Sequence, residues 1–124
     1  MQATDLQGLN ERLATVRDDI IAFAQDLIRT PAQSGDEANM AQRVAARMRD
    51  LDFDEVWTDE AGNVIGRVRG AQTGRTVLLA THLDTAAPGD LTAWERAPYG
   101  GDIHDEWLHG LGASSNKAAI AVQV

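Results

Sequence analysis

Leu6, Leu9, Leu13, Val16, Ile20, Phe23 and Leu27 recur at alternating steps of three and four residues. This spacing predicts a helix of roughly 25 residues with one apolar stripe. Its polar face mixes Asp, Glu and Arg, without the basic excess of a membrane-surface helix, so the stripe is expected to pack on a sheet. Pro31 closes the helix, because the residue before a proline avoids helical geometry. Ser34-Gly35-Asp36-Glu37 has the Ser-x-x-Glu spacing of a capping box and predicts a second helix start. Ala41, Val44, Met48 and Leu51 mark that helix's buried side, with Met48 as core filler.

From Phe53 the period changes. Val56-Trp57 and Val64-Ile65-Gly66-Arg67-Val68 flank the turn-rich Asp59-Glu60-Ala61-Gly62-Asn63, which predicts a hairpin. Gly70 to Gly74 is a second turn, and it leads into Thr76-Val77-Leu78-Leu79-Ala80. That run predicts a central strand buried on both faces, as in a helix-covered parallel sheet. Thr85 to Gly101 is a long irregular stretch whose aromatics and prolines favour an ordered functional loop. Asp102-Ile103 and Trp107-Leu108-His109 predict a short hairpin, and Gly110 to Ser115 a flexible approach to a last helix from Asn116. The order helix, helix, hairpin, strand is an α/β arrangement. The last helix reaches Val124 with neither a capping glycine nor a basic turn, which reads as a chain cut short or completed by something else.

Chemistry concentrates after the expected central strand. His82 and Asp84 are two apart, so an extended backbone aims both side chains to one face. They stand where ligands of parallel sheets gather. Such a pair can hold a metal, or the carboxylate can orient the imidazole; a polar strand end is the bland alternative.

The 124 residues suit one modest domain. A formal charge of −8 argues against nucleic acid and anionic membrane surfaces as partners. Cysteine is absent, which removes disulfides and thiolate metal sites. Met1-Gln2-Ala3-Thr4-Asp5-Leu6 lacks a basic region followed by an apolar one, and no stretch is long enough to span a membrane, so a cytoplasmic location is expected.

In order along the chain stand Ser34-Gly35-Asp36-Glu37, Gly62-Asn63-Val64-Ile65-Gly66, His82-Leu83-Asp84-Thr85, Pro88-Gly89-Asp90, Trp94, Pro98-Tyr99-Gly100-Gly101, Leu108, Gly110-Leu111-Gly112-Ala113 and Lys117. This ordered set resembles the start of the zinc-dependent exopeptidases and deacylases that include acetylornithine deacetylase, succinyl-diaminopimelate desuccinylase and aminoacylases. The resemblance runs from about Pro31 to the end. It implies an α/β fold, a partial three-layer catalytic domain over residues 1–124 with helices packed on a mixed sheet and the lid or dimerisation domain absent. It also implies a di-zinc centre that cleaves amides of small peptides or N-acyl amino acids. His82 would be a zinc ligand and Asp84 the carboxylate behind it. Two zincs would polarise the amide carbonyl and acidify a shared water, and a glutamate from later in such chains would shuttle the proton.

Two departures qualify the resemblance. The family's bridging aspartate, two residues before the lysine, is here Ser115. A neutral hydroxyl is a poor zinc ligand. Two dications about 3.5 Å apart repel by on the order of 15–20 kcal/mol at an effective dielectric of about 20, and a bridging carboxylate normally offsets part of that. An ordinary di-zinc centre is therefore not expected, and at most one weakly held zinc per chain is. Asn116 could offer an amide oxygen as a weak substitute. Leu111 stands where an arginine is usual, and Ala118-Ala119 replace a glycine pair. The second departure is length, since the general base and further ligands lie beyond Val124 in the family.

Three lesser candidates remain. His104 and His109 could share a metal across their hairpin but are poorly aimed, and Asp102, Asp105 and Glu106 read as a solvated acidic turn. Lys117 could contact the acidic centre or substrate, although a surface lysine is the plainer reading. The expectation is thus an amidohydrolase fragment inactive alone. The alternative is a non-catalytic remnant or interaction module that self-associates or awaits a completing polypeptide.

Overall fold

The computed structural model describes residues 3–124, with side-chain burial from residue 7 onward; Met1, Gln2 and the packing of Leu6 lie outside the described residues. Helix α1 spans Ala3–Arg29. It stops where expected, two residues before Pro31, and Thr30 closes it by donating from N to Leu27 O and from Oγ1 to Asp26 O. Only the C-terminal half of its stripe is used. Phe23, Ala24, Leu27 and Ile28 are buried, whereas Leu9, Leu13 and Val16 are exposed.

Helix α2 spans Ala38–Asp50 and buries Met40, Ala41, Val44 and Ala45. Ala41 and Val44 are buried and Met48 packs on the core, as expected; Met40 and Ala45 widen the stripe, and Leu51 is exposed at the C-cap. The capping box does not form. Glu37 is the N-cap and makes no side-chain cap bond, while its Oε1 accepts from Gly35 N at 2.7 Å. The Ser34 hydroxyl is engaged elsewhere, as described below. Ion pairs Arg43–Asp26 at 2.9 Å and Arg47–Asp19 tie α2 to α1.

Strands β1 (Glu55–Thr58) and β2 (Val64–Arg67) form the expected antiparallel hairpin, with Trp57 opposite Ile65. Gly66 lets it lie against α2: a Cβ there would sit 2.6 Å from Met48 Sδ and 2.7 Å from Phe53 Cδ1. Strands β3 (Asp102–His104) and β4 (Trp107–His109) make a second antiparallel hairpin, also as expected. A π-helical turn, Ala113–Lys117, precedes α3 (Ala118–Gln123). The approach to α3 is thus an ordered wide turn. The long loop is also ordered, through a 3-10 turn at Leu91–Ala93 capped by Asp90 and a Trp94 Nε1 bond to Pro88 O at 2.8 Å.

The core joins α1, α2 and α3 through Phe23, Leu27, Met40, Val44, Ile120 and Ala121. Burying each of its large side chains contributes about 1.5–3 kcal/mol. The fold is α/β in composition, helices with small antiparallel sheets.

The expected central strand is a departure. Residues 75–84 are in no strand, and Val77, Leu78 and Leu79 are 80%, 85% and 63% exposed. One parallel bridge, Gln33 with Thr85, is the sole pairing at its end among the described residues. Apolar patterning favours a doubly covered strand, but a strand exists only through hydrogen bonds to neighbours. The two hairpins pair internally and offer this run none. The helices accordingly pack on one another and on a hairpin, with no mixed sheet among the described residues.

Candidate functional site around His82 and Asp84

His82 and Asp84 do meet, although not on a strand. His82 Nδ1 lies 2.9 Å from Asp84 Oδ1 and 3.0 Å from the Asp84 carbonyl oxygen. Two oxygens facing one ring nitrogen call for a proton on it, so Nδ1–H donates and Nε2 keeps its lone pair. The other carboxylate oxygen of Asp84, Oδ2, accepts from the Ser34 hydroxyl. That bond first, and the one to His82 second, hold the Asp84 carboxyl below the usual carboxylate range. Asp84 therefore stays ionised behind the imidazole.

The loop carrying the pair is anchored on both sides. Thr85 is buried, and its N donates to Ala32 O at 2.7 Å, pinning the loop beside the end of α1. From the other side the π turn presents Asn116 and Lys117 inward. Its wide pitch comes from Gly112, whose carbonyl accepts from both Asn116 N (3.3 Å) and Lys117 N (3.0 Å). Gly112 has φ 77, and a Cβ there would fall 2.6 Å from Thr85 Cγ2. Only glycine fits that close passage.

Asn116 is 1% exposed, and its Nδ2 donates to His82 O at 2.5 Å and to Asp84 O at 3.1 Å. Its Oδ1 is buried with no partner. The amide thus turns its nitrogen, not its oxygen, toward the His82 loop. Ser115, expected from the resemblance to stand at the bridging position, is exposed on the π turn.

Lys117 is not the surface lysine expected. It is 0% exposed, and its Nζ donates to Thr30 O at 3.0 Å and Ile28 O at 3.4 Å, carbonyls at and just past the end of α1. The Tyr99 ring lies 6.0 Å away. Burial pushes its pKa from the ordinary 10.5 down to about 8. The residue acts as an internal cationic cap on a helix C-terminus.

His104 and His109 stand apart on the β3–β4 hairpin, their rings edge to face at 6.4 Å, with His104 Nδ1 3.0 Å from Asp105 Oδ2. Among the described residues no group of three or more His, Cys, Asp or Glu is placed to hold a metal ion. A two-zinc cage does not fit these residues by themselves. At the His82 loop they offer one imidazole nitrogen, and Ser115 brings no charge to balance a second cation. Sequence reasoning missed Ser34 as the partner of Asp84 and Thr85 as the loop's anchor. Both lie inside motifs singled out above, the first misassigned to a helix cap.

An imidazole backed by a carboxylate is an arrangement in which the acid fixes the ring's orientation and raises its basicity. The relatives found by comparison support a partial match of this chain to the zinc-exopeptidase family. The chain is 32% identical over 108 residues to succinyl-diaminopimelate desuccinylase of Cereibacter sphaeroides, covering 86% of this chain and 28% of that protein. It is 36% identical over 108 residues to the protein of the same name from Methylobacterium nodulans, covering 82% and 27%. The uncharacterized protein YgeY of Escherichia coli K12 is 31% identical over 114 residues, covering 92% and 28%. The chain thus spans little more than a quarter of the length of these curated relatives. No protein-family model matches it. No helix among the described residues is long and apolar enough to cross a membrane.

Proposed function

We propose that this chain is the N-terminal portion of a three-layer, zinc-hydrolase-like catalytic domain acting on amide bonds of small peptides or N-acyl amino acids. Residues 1–124 alone do not turn such substrates over. The observation that supports the reading is the His82–Asp84 pair: Nδ1 tied to the carboxylate at 2.9 Å leaves Nε2 as the ring's free donor atom. Ser115 and the absence of a three-residue ligand group among the described residues support the inactivity. A hydrolytic centre built on His82 takes its remaining ligands from a completing polypeptide.

Zinc content after dialysis, and hydrolysis of N-succinyl and N-acetyl amino acids, test this directly. The expected result is at most one zinc per chain and no turnover. Ser115→Asp is expected to raise zinc uptake. Two zincs per wild-type chain, or turnover abolished by His82→Ala, would refute the reading.

A second reading, an interaction module that self-associates, rests on the unpaired apolar run Val77-Leu78-Leu79, exposed by 63% or more at each residue. Such a run is a template for edge pairing between chains. Sedimentation would then show concentration-dependent association that Leu78→Lys weakens. A monomer at all concentrations removes this reading.

A further inference from the structure

We infer that Asn116 is a positioning residue: its buried side-chain amide clamps the backbone of the His82–Asp84 loop so that the His82 imidazole presents a single tautomer, Nδ1 protonated and Nε2 bare. Three observations converge on it. Asn116 is 1% exposed, so its polar atoms have only protein to bond with. Its Nδ2 reaches two carbonyls of the same short loop, His82 O at 2.5 Å and Asp84 O at 3.1 Å, which bracket the imidazole's own residue. Reversing the amide would set its oxygen against those two carbonyl oxygens, so the partners fix which atom is the nitrogen. Oδ1, on the far side, is buried without a partner, so the side chain's hydrogen bonding is all made through Nδ2 to the loop.

The link to the ring is geometric. His82 Nδ1 meets both the carboxylate and the carbonyl oxygen of Asp84, and that second contact exists only while the loop is curled with its carbonyls toward Asn116. The same nitrogen of Asn116 lies 3.2 Å from His82 Nδ1, which leaves no room for the ring to withdraw toward the π turn. Release the two carbonyls and the loop is held by Thr85 and by the Ser34–Asp84 bond; the Asp84 carbonyl is then free to turn away from Nδ1, and the ring, left with the carboxylate contact only, populates its second tautomer more. This goes deeper into the site of the proposed function and rests on that reading only for its consequence, because tautomer state is measured with no metal present.

The test is long-range proton–nitrogen correlation of the uniformly nitrogen-15-labelled full chain, with chelator, at a pH well above the ordinary histidine value. In the wild type, His82 Nδ1 is expected at a protonated shift and Nε2 at an unprotonated one. Asn116→Leu keeps the size and removes the donor, whereas Asn116→Asp puts an oxygen where two carbonyls wait. In both folded variants the two His82 nitrogens are expected to move toward each other, with His109 unchanged. A folded variant that keeps the wild-type His82 shifts overturns the inference, as does a wild type already averaged. Should neither variant fold, the wild type decides alone. Couplings across the hydrogen bonds from Asn116 Nδ2 to the His82 and Asp84 carbonyl carbons sustain the clamp, and a freely exchanging Asn116 amide overturns it. A single tautomer together with two zincs per wild-type chain would defeat the proposed function while leaving this inference standing.

Discussion

Lys117→Met removes one buried charge and keeps most of the stem, and its consequence depends on pH in a way the geometry fixes. In the folded chain Lys117 loses its proton at about 8, whereas the unfolded chain holds it up to the ordinary 10.5. Between those values unfolding takes up a proton, so raising the pH stabilises the native state. Below about 8 both states are protonated and the wild type carries the full penalty of a desolvated ammonium. Each unit of difference is worth about 1.4 kcal/mol, so the gain on passing from 8 to 10.5 is up to about 3.5 kcal/mol. The carbonyls of Ile28 and Thr30 and the Tyr99 ring retain part of the ammonium's solvation, which makes that figure an upper bound. Methionine leaves those two carbonyls without a donor, a cost of about 1–3 kcal/mol each that does not vary with pH. The summed cost of about 2–6 kcal/mol matches or exceeds that relief at neutral pH, so the variant should be no more stable than the wild type there. Urea unfolding of both proteins across the alkaline range, taken as the difference between them, cancels every other titrating group. Wild-type stability should climb relative to Lys117→Met through the window from about 8 to 10.5. A difference that stays flat through it would mean that the ammonium is solvated in the native chain, and the internal cap would be refuted.

The remaining predictions concern packing. Gly112→Ala combines a positive φ of 77 with a Cβ 2.6 Å from Thr85 Cγ2 and should cost about 1–3 kcal/mol or more, whereas Gly35→Ala meets nothing within 4 Å and should cost less. Equal losses of Tm for the two would argue against the close passage of the π turn over the loop. Leu27→Ala should cost about 2–5 kcal/mol by urea denaturation, because Leu27 is completely buried. Leu9→Ala, on the exposed half of the same stripe, should change stability by less than about 0.5 kcal/mol. A large loss at Leu9 would show that the whole stripe is covered.

What was legible in the sequence was local. The three-four stripe gave α1, the residue before Pro31 its end, and the alternating runs around Asp59–Asn63 and Asp105–Glu106 both hairpins, each a matter of neighbours a few positions apart. The exposed half of α1 shows the limit of that reasoning: periodicity says which face is apolar, and only the tertiary partners say how much of it is covered. The same limit undid the central strand, whose residues have the right character and no strand beside them. Lys117 was misread because composition ranks lysine as a surface residue, and nothing nearby in sequence announces that the carbonyls it caps belong to Ile28 and Thr30, 89 and 87 positions away. The site divides along the same line. His82 and Asp84, two apart, find each other through local geometry even without a strand. Ser34, 50 positions from Asp84, and Asn116, 34 from His82, are visible only once the chain is folded. Ser115 supplies no charge of the kind that a two-metal centre would need. The distant groups that hold the His82–Asp84 loop in place are all still present. A chain can therefore retain the posture of a ligand-bearing imidazole while lacking the charge that a second cation would require, and the two properties must be assayed separately.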